Sequence, residues 1–204
     1  MNFKLDLRQP VVQLGILEVI FPIAGYFFWD WSLMIIVFYY LIDWASAQMM
    51  YTKRLIEIKD QFNERLSWVV PLSIIVSYSV IAVATIFLYY YFEYIYVTIL
   101  KLDLNQAIIK FSIDELWYLI PLVLFSYHLV DKMLFYTPKA YKRYSVRPYL
   151  YKNIWSNLLG LGFILLGALI YNYIIPSDIV TIFLIVGVKL SFDVIVKKNI
   201  LKID

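Results

Sequence analysis

The chain has 204 residues, 63% of them hydrophobic and 16% charged, with a formal net charge of +3 at pH 7 and a mean hydropathy of +0.74. Soluble domains are about half apolar and about a quarter charged, so this balance excludes a water-soluble globule, and so much apolar sequence excludes a disordered chain. The absence of cysteine excludes disulfides, thiolate metal sites, iron–sulfur clusters and Cys nucleophiles.

A helix crossing the ~30 Å hydrocarbon core needs about 20 mostly apolar residues. In chain order, six segments meet this: Val11–Phe28, Trp31–Thr52, Trp68–Phe92, Leu116–Tyr136, Ile154–Ile175 and Ile179–Val196. Irregular backbone cannot face lipid, so each predicts a helix. Trp29-Asp30 splits the first pair and Pro176-Ser177-Asp178 the last, which predicts two tight hairpins. The first apolar run is too long for a cleavable signal peptide. Between the spans, Lys53–Ser67 places Leu55, Ile58, Phe62 and Leu66 at helical spacing, as a cytoplasmic continuation of the second span. Glu93–Glu115 predicts a short amphipathic helix in the outer interface. Thr137–Lys152 is a basic, Tyr-rich connection within reach of anionic headgroups. The expected fold is all-α: one transmembrane domain over residues 1–204, six helices in three hairpins.

Basic residues set the orientation. With both termini on one side, fourteen Lys and Arg fall there, two (Lys101 and Lys110) fall opposite, and Lys132 and Lys189 lie within spans. The positive-inside rule then puts both termini in the cytoplasm of a multi-pass cell-membrane protein. This asymmetry accounts for the basic charge, and nucleic-acid binding is not needed to explain it. The 19 Tyr and 6 Trp gather at the two expected boundaries, as interfacial belts do.

The even-numbered spans resemble one another. The second has Tyr39 and Asp43, the fourth Tyr127 and Asp131, the sixth Lys189 and Asp193, each pair at i, i+4 on one helix face. Glu18, Asp43, Asp131, Asp193, Lys132 and Lys189 are the ionisable residues inside spans, with His128 the sole histidine. A charge at mid-bilayer costs about 2.5–3.5 kcal/mol on insertion scales, so these groups are expected to turn inward and pair. Lys189 lies ten residues past Ile179, ~15 Å deep, with Asp193 as its natural partner. Glu18 precedes Pro22 and can pair with Lys189 or share a proton with Asp43. Asp43 and Asp131 lie near enough to the cytoplasmic boundary to reach headgroup water. The intramembrane polar site read from these residues is Glu18, Tyr39, Asp43, Tyr127, His128, Asp131, Lys189 and Asp193. Gly160, Gly162 and Gly167 in the fifth span predict close helix packing, and Ser73 and Ser77 predict bonds back to helix carbonyls. One His without paired-His or His–Glu spacing gives no zinc, di-iron or haem signature, so no cofactor or metal is expected.

Phe38-Tyr39-Tyr40-Leu41-Ile42-Asp43 and Lys189-Leu190-Ser191-Phe192-Asp193 carry a resemblance to a family of six-helix prokaryotic integral membrane proteins known only as a domain of unknown function. The resemblance spans nearly the whole chain and implies the six-helix fold but no activity. The family carries Asn beside its second-span acid, where this sequence has Trp44. Three functions fit the residues. The first is a transporter or channel moving protons, cations or a small ion through the inner-half charges. The second is a non-catalytic accessory or assembly subunit of a larger membrane complex. The third is a lipid-acting enzyme using His128 and Asp131, for which no nucleophile–base spacing is present, so catalysis is not expected. The expected partners are membrane lipids, further copies of the chain, or other subunits.

Overall fold

The computed structural model describes residues 10–62, 68–94, 103–111, 117–173 and 178–191. Among them the chain is all-helical: α1 (Pro10–Phe28), α2 (Leu33–Phe62), α3 (Val69–Tyr94), α4 (Leu104–Phe111), α5 (Trp117–Asp131), α6 (Val146–Tyr173) and α7 (Asp178–Ser191). Leu33–Asp60, Val70–Tyr94 and Trp117–Tyr136 are long and apolar enough to cross a membrane, and Glu18–Phe28 and Ile179–Leu190 are shorter apolar helices. Helix α2 runs without a break through Lys53 to Phe62, as the Leu55/Ile58 spacing predicts. Helix α4 lies within the stretch expected to form a short helix.

Helix α6 differs from expectation, starting at Val146 inside the predicted basic connection. The apolar window detects only the hydrophobic part of a helix. Pro148, in the first turn, is tolerated because its missing N–H would have no helical partner there. Helix α5 ends in a π-turn, Lys132–Tyr136, where the Thr137 amide and hydroxyl both donate to the Lys132 carbonyl, at 2.9 and 2.6 Å. Lys139 then takes the left-handed conformation (φ 54°) and leads into a 3₁₀ turn, Ala140–Arg143.

The residues fall into two compact units, Met1–Val37 with Leu166–Asp204, and Phe38–Leu165. In the first, α1 packs on α7. The turn after α1 closes with Asp30 in the left-handed region (φ 52°) and the Trp29 and Trp31 amides donating to the Gly25 carbonyl at 3.1 and 3.0 Å. Trp31 is fully buried against Gly25, and Phe21 and Trp29 flank its ring. A Cβ on Gly25 would lie inside the indole. Gly25→Ala is therefore expected to destabilise the fold by about 1–3 kcal/mol through overpacking, against the usual helical gain from alanine. Gly162→Ala, where a Cβ meets nothing within 4 Å, is expected to be neutral or to gain up to ~1 kcal/mol. Thermal unfolding in detergent checks both signs.

In the second unit, a core of Leu55, Ile58, Val70, Phe135, Val146 and Tyr149 ties α2, α3, the π-turn and α6 together.

Candidate functional site

Buried polar side chains of the second unit meet at three levels along α2. At the first, Asp43 is buried and accepts a hydrogen bond from the Tyr127 hydroxyl of α5 at 2.8 Å.

One turn on, Gln48 reaches α6. Its amide nitrogen donates to Asn153 Oδ1 (3.2 Å) and Asn157 Oδ1 (2.8 Å). Its carbonyl accepts from Asn153 Nδ2 (3.0 Å) and Asn157 Nδ2 (3.3 Å). Both asparagines also donate to Ser77 Oγ of α3, at 3.0 and 3.1 Å, and Trp44 Nε1 donates to Asn157 Oδ1 at 2.9 Å. A carboxamide offers two donors and two acceptor lone pairs. Gln48 and Asn157 use all four. Its two hubs are saturated, so neither Gln48 nor Asn157 can take a ligand without breaking a bond it already has. Gly160, one turn beyond Asn157, faces the Trp44 ring, where a Cβ would sit in ordinary contact at 3.5 Å. Ser77, expected to bond back to its own helix, instead accepts from two neighbouring amides. The interhelical partners lie within reach because Ser77 is on the buried face of α3.

At the third level, Arg54 is paired with Asp131. Its Nε donates to Asp131 Oδ1 at 2.7 Å, and its Nη2 donates to the same oxygen. The guanidinium lies over the Phe135 ring, 5.4 Å from its centroid, and the Lys53 ammonium lies 5.4 Å from that of Tyr136. Tyr51 stacks on Tyr149 at 4.9 Å. Burial raises the Tyr149 hydroxyl above the ordinary tyrosine range even though Arg54 opposes it, so it stays neutral. Asp131 is 1% exposed, which corrects the expectation that it reaches headgroup water: it lies on the inward face of α5 and is neutralised by Arg54.

The helical register explains which predicted residues come together. Leu119, Val123, Tyr127, Asp131 and Phe135 recur every four residues along the inward face of α5 and its π-turn. His128, one residue past Tyr127, is turned about 100° away and is exposed. Tyr39 is buried on the same face of α2 as Asp43, with its ring against Tyr40.

In the first unit, Glu18, Pro22 and Gly25 mark the inner face of α1, and Ile182, Val186 and Lys189 that of α7. Lys189 Nζ donates to Glu18 Oε2 at 2.9 Å, and each side chain keeps 20% of its surface accessible. Pro22 supplies no N–H to the Glu18 carbonyl one turn back. Asp193, the partner expected from spacing, lies outside the described residues. Among the described residues no group of three or more His, Asp or Glu could hold a metal ion.

Gln48, Arg54, Asn153 and Asn157 did not appear among the residues read from the sequence. The available signal was the i, i+4 spacing of Asn153 and Asn157 in an otherwise apolar helix. No family model, no curated protein and no solved structure matches the chain.

Proposed function

We propose that the chain is a multi-pass membrane protein of six spans in three hairpins, both termini cytoplasmic, serving as a non-catalytic subunit in a larger membrane assembly. Three candidate spanning helices and the fourteen-to-two division of basic residues support the topology. One observation carries the functional reading. The charged and carboxamide side chains on the inner faces of α2, α5 and α6 (Asp43, Gln48, Arg54, Asp131, Asn153 and Asn157) each bond a neighbouring helix in one of three separate contacts, and among their buried atoms Asp131 Oδ2 alone has no hydrogen-bond partner. Polar residues used this way fix helix register and spacing. A pathway needs polar groups with bonding capacity to spare, facing water. The chemistry of α2, α5 and α6 therefore falls to their outer faces, and helices whose inner polar groups join one another act through what those faces bind.

Purification in a mild detergent tests this. The expected result is stoichiometric recovery of at least one unrelated chain. A single uniform species, whether monomer or homo-oligomer, would count against the proposal.

A second reading, transport of protons, cations or a small ion, draws on Glu18 and Lys189. This pair lies on apolar helices yet keeps partial access to solvent, beside a proline that interrupts α1. Ion flux separates the two readings.

A further inference from the structure

We propose that the segment from Lys132 to Arg147 is a docking surface for the anionic headgroups of the phospholipid leaflet it faces. Residues 132–177 contain no Asp or Glu. Lys132, Lys139, Lys142, Arg143 and Arg147 are all exposed and make no ion pair among the described residues. Glu57 and Asp60, at the same end of α2, make none with them. Five cations without an ion pair on sixteen consecutive residues, with Glu57 the acid that acts on Tyr136 from α2, create a positive field that favours an anionic partner.

The segment is held from beneath. Tyr141 and Tyr144 pack on Phe135, with ring centroids 6.0 and 6.4 Å away, and Tyr144 meets Tyr149 at 5.5 Å. The aromatic side anchors the 3₁₀ turn to the core and leaves the basic side chains outward, so little backbone ordering remains to be done on binding.

Helix α6 supplies the reason for a lipid partner rather than an acidic protein or nucleic acid. Arg147, Tyr151 and Trp155 stand at i, i+4 and i+8 on one exposed face, with Tyr151 62% and Trp155 57% exposed, and Leu158 and Leu159 follow, also exposed. Cation, then aromatic rings, then aliphatic chains is the order in which a helix surface passes from headgroups through the interface to acyl chains. That order puts the cations at headgroup depth.

The inference rests on the membrane reading, and the experiment separates their failures. The full chain is reconstituted into vesicles of equal phosphatidylcholine and phosphatidylglycerol, extracted gently, and its retained lipids are counted by mass spectrometry. The wild type is expected to hold phosphatidylglycerol enriched about tenfold over phosphatidylcholine, falling toward parity in 0.5 M salt. A Lys139→Gln, Lys142→Gln, Arg143→Gln, Arg147→Gln variant is expected to hold both lipids equally with an unchanged melting temperature. Parity in the wild type overturns the inference, as does full enrichment in the variant. So does recovery of an acidic protein in place of enriched lipid. Failure to insert into vesicles of any composition overturns the membrane reading as well.

Discussion

Asp131→Ala is expected to cost about 3–5 kcal/mol, enough to remove most of the folded protein from detergent extracts, because it leaves the Arg54 guanidinium over the Phe135 ring and beside Tyr149 without its carboxylate. Arg54 Nε and Nη2 converge on one Asp131 oxygen, and the Tyr149 hydroxyl, which also bonds the guanidinium, is neutral and does not replace the carboxylate charge. Removing the cation as well changes the sign of the argument. A buried ion pair replaced by apolar groups of similar volume is often neutral or stabilising. The Arg54→Met, Asp131→Leu double variant is therefore expected to recover most of what Asp131→Ala loses. Thermal melts of wild type, Arg54→Met, Asp131→Leu and the double variant close a cycle whose coupling energy is the measurement. Additive losses would show that Asp131 acts through packing alone.

Gln48→Leu is expected to be the next most damaging change, at roughly 2–4 kcal/mol, because it removes the hub of the α2–α3–α6 network. Asn153 Oδ1 would lose its donor, and both asparagine amides would keep only Ser77 as acceptor. Gln48→Met, which preserves length and volume, is expected to lose nearly as much. Replacing Gln48, Asn153 and Asn157 by Leu together with Ser77→Ala and Trp44→Phe is expected to recover stability, since a network with all members removed strands nothing. A Gln48→Met variant as stable as wild type would mean that the four bonds contribute no net stability.

Helix positions were legible in the sequence because a span needs a long apolar run, and length and composition register that directly. Where polar residues extend a helix, as at Val146–Lys152, the same criterion loses it, since hydropathy does not detect hydrogen-bonded backbone in a basic segment. Candidate charges were legible in kind. The cost of an intramembrane charge singled out Glu18 and Lys189, and the structure places them 2.9 Å apart. Their partnership crosses 171 residues of sequence, and the charges alone offered Lys189 two partners, Glu18 and, one turn along its own span, Asp193. Arg54 counts in the sequence only as one of the fourteen bases on the cytoplasmic side. The continuous α2 turns Arg54 inward and leaves Lys53 exposed, a difference of one residue that only helical register decides. The carboxamides escaped for a different reason: formal charge marks only the ionisable groups, although burying an unpaired amide also costs roughly 2–7 kcal/mol. His128 shows that a residue type is not an address, since it stands one position off the inward face that carries Tyr127 and Asp131.

The central claim, that polar side chains inside this protein join helices rather than form a path between them, is tested most directly by ion flux. The wild-type chain in vesicles is loaded with a pH-sensitive dye, given a proton or potassium gradient, and compared with Asp43→Asn, Lys189→Met and protein-free vesicles. The account predicts that all four traces coincide. A flux carried by the wild type and lost in either variant, with that variant still folded and inserted, would contradict it.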